Sequence, residues 1–162
     1  MKAKKTLVPL DGSEMAEAAI APALEMAQAG ATLILMRAAD ARILPGVDVL
    51  GAQVRVVREA EEYLAGVKAK LEKTGVKGVE THVWFGPAAP AVVEAARVQN
   101  VDLIVMSTHG RSGLGRIIFG SVAESVLRGT RVPIFLVRPS GAPVEPPVGQ
   151  GEARPAEKEA VR

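Results

Sequence analysis

A chain of 162 residues, 48% hydrophobic and only 3% aromatic, is long enough for one domain whose core needs no covalent staples. It has no cysteine, which excludes a disulfide framework, a thiolate metal site and a cysteine nucleophile. Twenty Lys and Arg against eighteen Asp and Glu leave a net charge of +2, no large field for nucleic acid or an anionic membrane surface. The aromatics Tyr63, Trp84, Phe85, Phe119 and Phe135 are not interleaved with basic residues as in a single-strand nucleic-acid binder.

In chain order, the basic Met1 to Lys5 leads into an apolar run that stops at Pro9-Leu10-Asp11, too short for a signal-peptide core or a membrane span. A cytoplasmic protein that contacts neither membrane nor nucleic acid is the expectation. Lys5 to Leu10 reads as a buried strand closed by Pro9, and Ser13 as the N-cap of a helix that runs to Gly30 with a defect at Pro22. Ala31 to Met36 is a second strand, and Ala38 to Gly51, with Pro45 and Gly46, a loop. From about Gln53 to Lys73 the spacing predicts an amphipathic helix, its charges Glu61, Glu62, Lys68 and Lys70 forming a solvated face. Gly75 to Gly78 breaks it.

Four elements complete the predicted domain after the third strand, Val79 to Phe85. They are a helix over Pro87 to Gln99, a strand over Asp102 to Met106, a helix over Ser121 to Arg128 and a strand over Pro133 to Val137. Strands separated by helices, with the near-continuous apolar runs 33–36 and 103–106, argue for an α/β fold with a helix-covered parallel sheet. Five of the eleven prolines fall in the last 24 residues among Gly, Glu and Ala. That composition buries too little apolar surface to offset its ordering entropy, so residues 140–162 are expected to be a flexible tail on a domain spanning 1–139.

Chemistry concentrates after the fourth strand. Ser107-Thr108-His109-Gly110-Arg111-Ser112-Gly113-Leu114-Gly115-Arg116 leads through Ile117-Ile118-Phe119 to Gly120-Ser121 at a helix start. Glycines let backbone N–H groups approach an anion, and a helix N-terminus adds free donors and the positive end of its dipole. The order strand, glycine-rich loop, helix describes a phosphate cradle. It equally describes a loop that turns at Gly113 before an ordinary Ser121 cap. Gly115 to Ser121 lacks the lysine of a P-loop, and the spacing is not that of the dinucleotide fingerprint.

The stretch Val105 to Pro139 resembles the C-terminal signature of the universal stress protein family, whose ATP-binding branch carries G-x2-G-x9-G-[ST]. Gly110, nine residues, then Gly120-Ser121 match the latter part; Ser107 stands where the first glycine belongs. Serine there adds a Cβ and disfavours positive φ, or donates a hydroxyl. Val8-Pro9-Leu10-Asp11-Gly12-Ser13 is similar to the family's first-strand motif, and Gly86-x-x-x-Pro90 or Gly86-Pro87 to its fourth-element turn.

The resemblance implies a five-stranded open parallel sheet in order 3-2-1-4-5 with helices on both faces. Its ligand site lies where strands 1 and 4 diverge. By the same resemblance Pro9 and Asp11 line the ribose and adenine region, Ala38 offers backbone groups to the adenine edge, and Met106 packs near the base or ribose. Ser107, Thr108, His109, Gly110, Arg111, Ser112, Gly113, Ser121, Val122 and Ala123, with Gly120, hold ribose and phosphates. The implied ligand is ATP or another adenine nucleotide with Mg²⁺. Asp11 is a metal-contact candidate besides its ribose role or a plain Asx helix cap.

The resemblance further implies a homodimer through Pro133 to Val137, an apolar edge strand that needs covering. The alternative function is a dimeric scaffold that binds no nucleotide. His109 has no nucleophile–base partner in sequence and His82 no clustered carboxylates, so neither a catalytic residue nor a transition-metal site is expected beyond slow ATP hydrolysis.

Overall fold

In the computed structural model, which describes residues 2–41, 48–108 and 120–140, the first apolar run becomes β1 (Ala3–Pro9). Helices α1 (Glu14–Glu17) and α2 (Ile20–Met26) and strand β2 (Ala27–Ala39) follow. The remaining elements are α3 (Val49–Lys73), β3 (Val79–Phe85), α4 (Ala88–Val98), β4 (Leu103–Ser107), α5 (Ser121–Gly129) and β5 (Ile134–Val137). All neighbouring strands are parallel, in the expected order β3-β2-β1-β4-β5.

Strand alternation divides the interior into two cores. Val8, Leu33, Leu35, Leu103 and Val105 point to the face covered by α1, α2 and α3, where they meet Ala16, Ala23, Leu64 and Val67. Leu7, Ile34, Met36, Ile104 and Met106 point to the other face, against Val92 and Ala95 of α4 and Ala123 and Val126 of α5. Every residue of β4 is buried, as expected for a parallel strand covered on both sides. Each fully buried Leu or Ile contributes about 1.5–3 kcal/mol of transfer free energy.

Two sequence expectations need correction. The single helix from Ser13 to Gly30 is two helices. Ser13 does cap α1, its Oγ accepting from the Ala16 N–H at 3.2 Å, but α1 ends at Glu17. Pro22 is the third residue of α2, inside the first turn, where its missing N–H breaks no helical bond. Ala27 to Gly30 then opens β2 and is not helical, with Gly30 at φ 75°: Ala27 pairs with Ala3, and the Lys2 ammonium donates to the carbonyls of Glu25 at 2.9 Å and Ala27 at 3.4 Å.

The expected loop 38–51 is also shorter than drawn. Ala38 and Ala39 belong to β2, and α3 starts at Val49; residues 42–47 lie outside the described residues. Other ends differ by a residue or two. The tail from 141 onward likewise lies outside the described residues.

Asn100 ends α4 at φ 49°, with Val101 N–H donating to Ala96 O at 3.1 Å and Asn100 N–H to Arg97 O at 3.2 Å. This Schellman closure aims the chain into β4.

Thr6, in the middle of β1, is 1% exposed, and its Oγ1 finds no hydrogen-bond partner among the described residues. A buried unsatisfied hydroxyl costs about 1–3 kcal/mol, and valine has the same shape without it. Thr6→Val is therefore expected to raise the melting temperature by about 2–12 °C. A lowered temperature in a thermal melt would show that the hydroxyl is satisfied in solution.

Candidate functional site

The chain leaves β1 toward α1 on one face and leaves β4 toward α5 on the other, so a crevice opens between two adjacent strand ends. Such divergence points are where open α/β sheets hold ligands. Here it is a cleft of about 410 Å³.

Its walls come from separate parts of the sequence. Pro9 ends β1 and Asp11 lies two residues beyond it, Ala38 is next to last in β2, Met106 and Ser107 end β4 with Thr108 just after, and Gly120 caps α5, which Ser121, Val122 and Ala123 begin; all ten line the cleft. Five other sequence-predicted residues, His109, Gly110, Arg111, Ser112 and Gly113, lie outside the described residues. Sequence reasoning missed Leu10, Ala16, Met36, Arg37, Ala88 and Val92, which complete the walls. Five of these are apolar and carry no local signal. Arg37 does carry one: a cation that interrupts an apolar run at the carboxyl end of a strand.

Hydrogen bonds pin the two sides. Thr108 N–H donates to Val137 O at 2.9 Å, continuing the β4–β5 pairing by one residue. Gly120 N–H donates to Thr108 O at 2.7 Å, tying the start of α5 to the end of β4. A Cβ on Gly120 would lie 2.8 Å from that same carbonyl oxygen, so the tie admits only glycine without displacement. Gly120, and not Ser121, is the N-cap of α5, and no side chain caps it. The N-terminal turn of α5 thus brings its orphan N–H groups and dipole to the cleft wall.

Ser107 lies in β4, paired with Val137 and 9% exposed. Asn100 is the only non-glycine with positive φ among the described residues, so a serine at 107 is accommodated without backbone strain. On the opposite wall Asp11 Oδ1 accepts from the Ser13 N–H at 2.9 Å and the Ser13 hydroxyl at 2.6 Å. This Asx turn makes Asp11 a structural residue whatever else it binds.

Behind Asp11 the Arg37 guanidinium sits over the Tyr63 ring, 5.0 Å from its centroid, and the Tyr63 hydroxyl donates to Glu17 Oε1 at 2.8 Å. Burial, then the hydrogen bond to Glu17, push the Tyr63 phenol well above its ordinary pKa. The phenol therefore stays protonated and donating at physiological pH. His82 is a partly exposed strand residue 3.5 Å from Glu80, and among the described residues no cluster of three His, Cys, Asp or Glu could hold a metal ion. No helix among the described residues is long and apolar enough to cross a membrane.

The fold agrees with comparisons to known proteins. The model of the universal stress protein family matches residues 2–138. The universal stress protein MJ0531 of Methanocaldococcus jannaschii is 34% identical over 140 residues, covering 83% of this chain and 82% of its own. The solved structure of hypothetical protein MJ0577, described as a structure-based assignment of biochemical function, superposes with a TM-score of 0.76 at 29% identity. The match covers 86% of this chain and 98% of that one.

Two more distant structures share the fold: a universal stress protein in complex with cAMP (24% identity, TM-score 0.64) and an Arabidopsis thaliana family member with AMP bound (14%, 0.61). They cover 85% of this chain each, and 98% and 93% of their own. This chain belongs to the universal stress protein family.

Proposed function

We propose that the cleft binds an adenine nucleotide and that the protein acts in stress response or signalling in the cytoplasm, with at most slow ATP hydrolysis. The observation that carries this reading is convergence: a carboxylate from the turn after β1, backbone from β2 and β4, and the N-terminus of α5 meet in one cleft. Those are the groups a nucleotide needs. Asp11 accepts from ribose hydroxyls, Ala38 offers main-chain groups to the base edge, and the Gly120–Ala123 turn donates to phosphate. The cleft volume lies within the usual 300–1,000 Å³ range for small-molecule sites. The cAMP and AMP held by two structures of this fold support the ligand class.

ATP with Mg²⁺ is the favoured form, with Mg²⁺ carried by the phosphates because Asp11 is a single carboxylate already engaged with Ser13. His109 to Gly113, by the sequence pattern, would add phosphate contacts, and residues 140–162, by their composition, would be a flexible tail that takes no part in binding.

A ligand that binds only the native state raises its stability, by about 2.7 kcal/mol at a hundredfold excess over Kd. Millimolar AMP, cAMP or ATP with Mg²⁺ is therefore expected to raise the melting temperature by about 5–10 °C while GMP raises it less. No shift with any adenine nucleotide would sink the reading.

The second reading is a scaffold that works through its sheet edge. β5 pairs only with β4 among the described strands, and Phe135 on it is 39% exposed. A homodimer through 133–137 would cover that edge. Monomeric mass by light scattering at micromolar concentration would rule it out.

A further inference from the structure

Arg37 lines the cleft, and packing holds it there. Among the described residues its guanidinium has no carboxylate partner within ion-pair distance, although the chain forms such pairs elsewhere, as at Arg97–Glu94 and Arg128–Glu124. It packs instead on Gly12. A Cβ built there would lie 3.4 Å from Arg37 Nη1, 3.5 Å from Cζ and 3.5 Å from Nη2. Three near-equal distances set the guanidinium plane face-on to the turn. Gly12 itself has φ 89°, a conformation the turn between Asp11 and Ser13 requires and other residues resist.

The guanidinium is in turn held by the Tyr63 ring of α3, and Tyr63 by Glu17 of α1. Three elements, β2, α3 and α1, therefore converge behind one turn. That turn carries the Asp11 carboxylate, itself fixed by Ser13. A stacked planar cation suits this task better than an ammonium, because the ring sets its orientation and its flat face packs on the turn at Gly12.

We infer that Arg37, held by Tyr63 and Glu17, is a positioning residue that fixes Asp11 for recognition of the ribose hydroxyls, so that the cleft favours ribonucleotides over their deoxy analogues. The inference rests on the adenine-nucleotide reading. Arg37 does not touch the ribose in this scheme; it acts through the turn. Its contribution should vanish when the ligand has no hydroxyls for Asp11 to accept.

Isothermal titration of wild type and Arg37→Met with AMP and with 2′,3′-dideoxy-AMP tests this as a cycle. Methionine keeps the length and removes the charge and the plane. AMP binding is expected to weaken about tenfold while dideoxy-AMP binding is unchanged. Arg37→Lys, which restores charge without the plane, is expected to stay weakened. Tyr63→Phe, which keeps the ring and loses the bond to Glu17, should fall between wild type and Tyr63→Leu.

Equal losses for both nucleotides, or AMP binding by Arg37→Met like wild type, would overturn the inference. A wild-type chain that binds neither nucleotide overturns the adenine-nucleotide reading instead. Amide exchange, which needs no ligand, then decides the brace: faster exchange at Ser13 in Arg37→Met upholds it, and an unchanged rate overturns it.

Discussion

Replacing Gly120 by alanine is expected to lower the melting temperature by about 3–10 °C and to weaken adenine-nucleotide binding about tenfold or more. The added Cβ would stand 2.8 Å from Thr108 O, a distance real Cβ atoms essentially never show, and the atom it meets is backbone. Relief requires α5 and the end of β4 to separate. Separation stretches the 2.7 Å bond from Gly120 N–H to Thr108 O, which joins the two ends of segment 109–119. Thr108 cannot simply retreat, because its own N–H is bonded to Val137 O at 2.9 Å in the β4–β5 register.

The strain therefore falls on the start of α5, where the donors proposed for phosphate lie. Gly66→Ala is the matching control. Gly66 sits in α3 with nothing within 4 Å of the new Cβ, so alanine there should stabilise by about 0.5–1 kcal/mol through helix propensity. If Gly120→Ala melts like wild type, the contact between α5 and β4 is looser in solution than this geometry requires.

How far the sequence foretold this arrangement varied with the kind of information each residue carries. Leu103 to Met106 announced a two-face buried strand because every position is apolar, and all are buried. Ser13 announced a helix start because a short hydroxyl before Glu14 has one dominant use, and it caps α1. Ala27 to Gly30 misled because small residues fit a helical stripe as well as a strand. What decided the matter was non-local pairing of Ala27 with Ala3, which no window of sequence contains.

The strand order came from family resemblance, since crossover connections alone allow several arrangements. Within the cleft, Pro9, Asp11 and the Gly120-Ser121 step were legible from turn and cap chemistry together with the family motif. The brace was not. Glu17, Arg37 and Tyr63 are 20 and 26 residues apart in sequence, and only the packing of α1 and α3 on the same face of the sheet brings them together.

Asp11 separates structural from recognition roles most sharply, because two substitutions divide what one carboxylate does. Asp11→Asn keeps an oxygen able to accept from the Ser13 N–H and hydroxyl, now at 2.9 and 2.6 Å, so the Asx turn should persist with a stability loss under about 1 kcal/mol. Asp11→Ala removes both bonds, loosens the cap of α1 at Ser13, and is expected to lower stability by about 2 kcal/mol, or roughly 4–8 °C. For nucleotide binding the same order of severity should hold. Hydrogen bonds from ribose hydroxyls to a charged acceptor are about twice as strong as to a neutral one, so asparagine alone should weaken AMP about tenfold. Alanine should weaken it about a hundredfold, because the acceptor and the ordered turn go together. Parallel melting curves and titrations of the two variants resolve these effects. If Asp11→Asn binds AMP as tightly as wild type, the carboxylate serves the turn alone, and ribose recognition must lie with main-chain groups on the other wall of the cleft.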